Sequence, residues 1–392
     1  MAAERLEKLA GEWEFLEGYH TVRTPHLAKS KLYETSGHLA LYKESMFPPM
    51  QGDDEEFYLK PMNCPHHHKI YAARPRSYRE LPLRLAEYGQ VYRYERSGQL
   101  QGLSRVRGFA MNDAHIYLTE GQIREEFRRL LDLQRRYFEL FDLKDTYFRL
   151  SLWDPSDPKG KQKYVDDPPA WAKTEAIVRE VLVESGLPFE EAIGEAAFYG
   201  PKIDIQFKTV ALREFTASTI QLDFASPIRF DLNYHDSDGT EKRPYIIHRA
   251  PLGTHERFIA YLIEHYGGAF PTWMAPVQVK VLPLSENFQE YAEEIVRRLR
   301  TQMIRAEADR TSDPLGAKIR ANSIKKIPIL LVVGEKEQNE RTVTIRRYGI
   351  KEQRAMPLDA FEAAVQEEIR TRRHIREWSD VEKAAVPPPT VS

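Results

Sequence analysis

The sequence predicts an α/β protein in two parts: an α+β domain over residues 1–275, built on an antiparallel sheet flanked by helices, and a smaller α/β domain over residues 276–383. Three observations carry this. Most strand-like runs of the first part follow one another without a crossover helix, which antiparallel strands permit and parallel ones do not. From residue 276 onward, strand and helix patterns alternate. Between the two, GGAFPTWMAP ends a helical pattern through Pro271 to Pro276, and VQVKVLPL begins a strand.

In the first part YGQVYRYER, RGFAMNDAHIYL, AFYGPKIDIQF, FTASTIQLDF and RPYIIHRA read as successive strands of one sheet. Ile123 to Phe141 reads as a helix that sets Phe127, Leu130, Leu131, Phe138 and Phe141 on one face. WDPSDPKGKQKYVDDPP is a polar loop whose lysines are expected in solvent. In the second part PVQVKVLPL, KKIPILLVVG and RTVTIRRYG are strand patterns, with helices expected at ENFQEYAEEIVRRLRTQ and LDAFEAAVQEEIRTR. Residues 384–392, AAVPPPTVS, form a Pro-rich tail expected to be disordered.

A length of 392 residues exceeds one ordinary core, and 42% hydrophobic against 30% charged residues allows a buried interior under a well-solvated surface. No run approaches the roughly eighteen apolar residues of a spanning helix. The charged start MAAERLEKLAGEW does not read as a signal peptide, so a cytoplasmic protein with no membrane partner is expected. The single cysteine, Cys64, cannot form an internal disulfide and is either a buried filler or a working ligand. The net charge of -2 is unevenly spread: residues 276–392 hold 21 Lys+Arg against 18 Asp+Glu, and residues 1–275 hold 36 against 41. The mild basic excess of the second part permits contact with a polyanion.

Neither GxxxxGK[ST] nor a strand followed by GxGxxG is present, so a nucleotide triphosphate would need another device. Arginines supply one, because the guanidinium fork meets phosphate oxygens bidentately and stays charged. Arg93 lies in QVYRYER, Arg105 and Arg107 follow the Gly-rich SGQLQGLS, and Arg257 lies in RAPLGTHERF. Each alone reads as a surface residue. In both regions, however, the arginine accompanies a glycine-bearing turn where backbone can approach a ligand closely.

AEYGQVYRYERSGQLQGLSRVRGFAMNDAH resembles motif 2 of the class II aminoacyl-tRNA synthetases, and LGTHERFIAYLIEHYGGAFPTW resembles their motif 3. GYHTVRTPHL, with Pro25, is similar to motif 1, which implies a homodimer through that region. The resemblance implies a class II sheet flanked by helices and in-line displacement at the α-phosphorus of ATP, driven by positioning and charge stabilisation. It gives Arg93 the α-phosphate and carboxylate, Arg105 and Arg257 the pyrophosphate end of ATP with Mg2+, Glu95 the adenine amino group, and Phe109 the ring stack.

Cys64 in KPMNCPHHH, His115 in NDAHIYL and His248 in YIIHRA lie far apart, and spacing alone gives no zinc signature. A lone histidine on a strand is as readily a core residue. These segments, with RVRGF, FYGPKIDI and QLDF, are nevertheless similar in order and approximate spacing to those of the threonyl-tRNA synthetase family across nearly the whole chain. That resemblance implies one zinc ion held by Cys64, His115 and His248, L-threonine as substrate and tRNA(Thr) as partner. Three protein ligands leave zinc an open position for an amine and a hydroxyl, so valine, lacking the hydroxyl, is rejected. The same resemblance implies that Asp113 accepts the hydroxyl proton, that Met62, Tyr199 and Gln221 line the pocket, and that Lys202 is catalytic. His38 in ETSGHLALY is implied near the terminal ribose, against a reading as a surface-loop histidine. His66, His67 and His68, expected on a strand or turn, point apart and read as supporting or structural residues.

The second part resembles the anticodon-binding domain of class II synthetases, which places Arg320, Glu337 and Arg346 at anticodon bases; solvated charge is the plain alternative for each. Ser312 stands where the family often has asparagine. Met111 with Asn112, Thr216 with Ala217, and His66 also depart from common residues of the family. Full-length members carry two further N-terminal domains, one of which hydrolyses mischarged serine. Neither is in this sequence, so a trimmed or shortened chain is expected, with serine corrected by another protein or by the missing domains. Another class II synthetase, or a synthetase-like RNA-binding paralogue, is the alternative function.

Overall fold

The computed structural model describes residues 2–144, 146–156, 164–208 and 214–384. The chain divides into two compact units, Leu6–Tyr261 and Leu262 onward with the first five residues.

The first unit is built on an eight-stranded sheet: β1 (His20–Thr21), β2 (Leu83–Tyr92), β3 (Gly108–Leu118), β4 (Thr146–Leu152), β5 (Phe189–Ile193), β6 (Lys202–Lys208), β7 (Glu214–Asp223) and β8 (Tyr245–Ala250). Their order is β1-β2-β3-β8-β7-β6-β4-β5. The pairs from β2 through to β6 are antiparallel, as the strand runs predict, and so is the pair of β6 with β4, a strand the sequence reading did not include. The two marginal pairs, β1 with β2 and β4 with β5, are parallel. A parallel pair needs a crossover, and the β4 to β5 connection carries a helix (Pro168–Ser185). Asp167 caps that helix by accepting the Ala170 N–H at 3.1 Å, prolines fill its first positions, and Gly186 ends it at φ 66°.

The N-terminal helix α1 (Ala2–Leu16) buries Leu6, Leu9, Ala10 and Glu14. Helix α2 (Cys64–Ala72) begins at the cysteine. Helix α3 (Ile123–Phe141) has the bounds its apolar stripe predicts and buries Phe127, Leu130, Leu131 and Phe141. Phe138, half-buried, meets the ring of Phe207 on β6 at 5.7 Å. Asp142, in the left-handed region, stops the helix by donating its N–H to the carbonyls of Phe138 and Glu139. A three-stranded sheet of Leu27–Lys29, Glu56–Leu59 and Met50–Gln51 lies before α2.

The second unit holds a five-stranded sheet in the order Ala306–Ala308, Val279–Pro283, Ile329–Val333, Thr342–Arg347, Gln353–Pro357. Its first three strands are parallel and the last two join antiparallel. Helices Gln289–Thr301 and Leu358–Thr371 close one core with Val279, Val281, Ile329, Leu331 and Val343. The strand and helix patterns read from the sequence are present. Helices Leu315–Ile324 and Trp378–Ala384 and the two edge strands were not read, being short or polar. Of the expected disordered tail, Ala384 ends a helix and residues 385–392 lie outside the described residues, as do residues 157–163 of the polar loop. Among the described residues no helix is long and apolar enough to cross a membrane.

Candidate active site

Side chains alternate across a strand, so β3 presents Phe109, Met111, Asp113 and His115 to one side, and all four line a single cavity. Strand β8 adds His248, Arg249 and Ala250; β7 adds Thr216, Ser218, Thr219 and Gln221 around a register irregularity at Thr216/Ser218. Pairing sets one row across the sheet: His115 opposes His248, His248 opposes Gln221, Gln221 opposes Lys202, and Lys202 opposes Ser151. Directly opposed residues share a face. Thus the register joins segments that are distant in sequence.

The remaining walls come from loops held to this sheet. Cys64 is the first residue of α2, and Met62 precedes it. Asn63, fully buried, donates from Nδ2 to Asp113 Oδ2 at 3.1 Å. It fits because Gly89 on β2 has no side chain: a Cβ there would lie 2.1 Å from Asn63 Oδ1. Tyr199 stacks on the His248 ring, with centroids 4.9 Å apart, and its hydroxyl bonds Gln221. Its loop touches β7 closely, since a Cβ on Gly200 would meet the Leu222 carbonyl oxygen at 1.8 Å. The start of helix α4 (His255–His265) is tied to β3 by the Ala110 N–H donating to Glu256 Oε2 at 3.2 Å, and by Asn112 N–H to Gly253 O, also 3.2 Å. That brings Arg257 to the cavity.

One end of the cavity is cationic. Arg93 lies over the Phe109 ring at 5.2 Å, Arg105 Nε donates to Glu95 Oε2 at 2.9 Å, and Arg257 Nε donates to Ser104 O at 3.1 Å. Burial lowers Arg257 from the usual guanidinium range, and the like charges of Arg93 and Arg105 lower it further. Three guanidinium groups in mutual repulsion form a site that an anion would relieve. Arg107, also in the motif, instead donates to the Glu95 carbonyl at 2.9 Å.

At the other end Cys64, His115 and His248 are buried, with one ligand atom of each within 4.8 Å of the others. Burial pushes the Cys64 thiol well up, as do the nearby carboxylates Asp113 and Asp223. It pushes His115 well down, aided by His248 and His67, and so favours the neutral imidazole that metals bind. Asp113 is raised, by burial first. A buried thiol and two imidazoles that open to a cavity fit the donor set of zinc. Among the described residues His68, Asp223 and His248 form a second, overlapping group. There His248 Nε2 and Asp223 Oδ2 already bond at 2.8 Å, and His68 Nδ1 bonds the Tyr117 hydroxyl at 2.9 Å. We therefore favour the first.

Twelve of the residues read from the sequence thus meet in one cavity: Met62, Cys64, Arg93, Glu95, Arg105, Phe109, Asp113, His115, Tyr199, Gln221, His248 and Arg257. Two are beside it. Lys202 continues the row beyond Gln221 and pairs with Asp204. His38 is not a surface histidine: it is 4% exposed, bonds Ser36 Oγ through Nδ1 at 2.7 Å, and is lowered to about 4 by burial, then by Arg93 and Arg229. The three consecutive histidines lie on α2 and not on a strand or turn. His67 and His68 approach His115, with ring centroids at 4.7 and 5.7 Å, while His66 faces Tyr33. Sequence reasoning missed Asn63, Glu87 and Arg249, whose partners come from elements remote in the chain. In the second unit Arg320 is exposed and Arg346 half-buried. Glu337 caps its own helix, accepting from Gly334 N–H at 3.0 Å and Thr344 Oγ1 at 2.8 Å.

Residues 42–266 match the tRNA synthetase class II core domain (G, H, P, S and T), and residues 278–368 match the anticodon binding domain. The chain is 50% identical over 369 residues to a threonine–tRNA ligase of Geobacillus kaustophilus, covering 94% of this chain and 56% of that protein. A second such ligase, from Streptococcus pneumoniae, is 48% identical over 372 residues, 94% of this chain and 57% of its own length. The chain thus spans little more than half the length of these curated relatives. Among solved structures, the RNA binding domain of threonyl-tRNA synthetase from Cryptosporidium parvum superposes with a TM-score of 0.86 at 35% identity, covering 92% of this chain and 88% of that one. A putative threonyl-tRNA synthetase from Aeropyrum pernix gives 0.83 at 30% identity, covering 98% and 88%. A prolyl-tRNA synthetase from Cryptosporidium parvum, at 17% identity and a TM-score of 0.68, shares the fold. With catalytic-core and anticodon-binding regions in this order, the chain belongs to the threonyl-tRNA synthetase family.

Proposed function

We propose that this chain activates L-threonine with ATP as threonyl-adenylate and transfers it to tRNA(Thr). The observation that carries this is the union, in one cavity, of a thiol and two imidazoles at one end with three arginines at the other. Cys64, His115 and His248 would hold zinc, which when bound supplies a Lewis-acid site for an amine and a hydroxyl. Asp113, oriented by Asn63, accepts the substrate's hydroxyl proton, while Met62 and Tyr199 line the pocket around the amino acid and Gln221 lines it toward the nucleotide.

Arg93 holds the α-phosphate and the carboxylate that attacks it, Arg105 and Arg257 hold the pyrophosphate end with Mg2+, Glu95 reads the adenine amino group, and Phe109 stacks on the base. In the structure Glu95 pairs with Arg105, so nucleotide binding would redistribute that ion pair. Lys202 adds positive charge from the neighbouring strand. His38, uncharged at neutral pH and with no hydrogen-bond partner at its buried Nε2 among the described residues, would take a proton from the terminal ribose in the transfer step. The second unit, bounded in this reading at residues 276–383, would contact anticodon bases through Arg320 and Arg346, with Glu337 contributing through whatever its capping bonds leave free. A homodimer through the GYHTVRTP segment, and correction of serine elsewhere, complete the reading.

The test is amino-acid-dependent exchange of pyrophosphate into ATP with zinc-loaded protein. Threonine should support exchange, valine should be disfavoured by roughly 10⁴-fold, and serine, one methyl smaller, by only about 10- to 200-fold. Cys64→Ser should lose zinc and threonine-dependent exchange together. A folded, zinc-loaded sample with no threonine-dependent exchange would contradict the proposal.

A further inference from the structure

Behind the donor set runs a chain of buried hydrogen bonds. His115 Nδ1 lies 2.8 Å from His67 Nδ1, and His67 Nε2 lies 3.1 Å from Glu87 Oε2. Glu87 is otherwise saturated with donors: Oε1 accepts the Thr24 N–H at 2.8 Å and Lys60 Nζ at 3.2 Å, and Oε2 accepts the Thr24 hydroxyl at 2.8 Å. Lys60, 0% exposed, is an ion-pair partner of the carboxylate. The carboxylate is held ionised at about 2: burial pushes it up, but His67, Thr24 and Lys60 outweigh that.

An ionised carboxylate only accepts. The proton on this contact therefore sits on His67 Nε2; in the neutral imidazole Nδ1 is left as an acceptor, and the proton of the next bond sits on His115 Nδ1. His115 Nε2 is then its bare nitrogen. We propose that His67, held by Glu87, is a positioning residue that fixes the tautomer of His115 so that Nε2 is the nitrogen offered to the metal ion. This rests on the zinc reading above. It also gives a role to one of the three consecutive histidines that the chemistry otherwise leaves unused. Fixing a ligating imidazole through its second nitrogen typically changes metal affinity by about 10- to 100-fold.

Two variants separate the relay from simple packing. In Glu87→Gln the amide oxygen must face the two N–H donors, Thr24 N and Lys60 Nζ, which turns the amide NH2 toward His67 Nε2. That inverts both tautomers at nearly constant volume and leaves His115 Nε2 protonated. His67→Phe removes the acceptor, and His67→Asn restores an amide oxygen near the Nδ1 position. By competition against a chelator, Glu87→Gln and His67→Phe should bind zinc about 10- to 100-fold more weakly than wild type, with His67→Asn in between. In metal-free protein labelled with ¹⁵N-histidine, a long-range ¹H–¹⁵N spectrum should show His115 as the Nδ1–H tautomer, assigned by its loss in His115→Gln. Unchanged zinc affinity in folded Glu87→Gln and His67→Phe, or an Nε2–H His115 in the wild type, would overturn the relay. A wild type that binds no zinc would instead fail the metal reading itself, visible before any variant is made.

Discussion

At the scale of single residues, the site depends on clearances as much as on donors. Asn63 reaches Asp113 only because Gly89 is bare on the neighbouring strand. Gly89→Ala should therefore lower stability by about 1 to 3 kcal/mol, the range for overfilling a packed interior, and displace Asn63 from Asp113. We expect the KM for threonine in the exchange assay to rise while that for ATP holds, with urea unfolding measuring the stability cost; an equal change in both constants would place the damage elsewhere. Little of this was legible in the sequence. Cys64, His115 and His248 could each be named, through their resemblance to a family. Asn63 carried no signal, because its importance lies in a glycine 26 positions away that strand pairing brings beneath it. Glu337 shows the reverse: its residue type suited base recognition, yet its carboxylate caps a helix.

Among elements, strand β3 was legible as a strand run, and the period-two alternation of a strand then sets Phe109, Met111, Asp113 and His115 on the cavity wall. Helix α3 was legible to its last residue, because its apolar stripe recurs at helical period. Helix α1 was not. Its Glu14 looks like an ordinary solvated glutamate, but it is 1% exposed and joins three strands. Oε1 lies 2.8 Å from Arg249 on β8 and accepts Asn112 Nδ2 on β3 at 2.9 Å, while Oε2 accepts the Tyr88 hydroxyl on β2 at 3.0 Å. Glu14→Ala should strand the buried Arg249 charge and cost about 3 to 5 kcal/mol, read as a fall in the denaturant midpoint. A loss within about 0.5 kcal/mol, as for a surface site, would show that the helix is not so anchored.

For the molecule as a whole, buried histidines tie stability to pH. Burial lowers both His38 and His255 to about 4, against 6.5 in the open chain. Above pH 6.5 both are neutral in either state and impose nothing. Between 6.5 and about 4 the unfolded chain takes up protons that the folded one refuses, so stability falls as pH falls through that window. Equilibrium unfolding followed from pH 7.5 to 4.5 should show this decline, and His255→Gln should make its slope shallower by about one proton; an identical slope would remove His255 from the account. The row running from His115 through His248 and Gln221 to Lys202 has a consequence of another kind. Were β3 or β8 to slip by one position against its neighbour, an imidazole would turn to the far side of the sheet. Only one alignment of the strands assembles the full set of donors, so a captured ion would lower the free energy of that alignment alone and act as an arbiter among the ways this sheet can zip together.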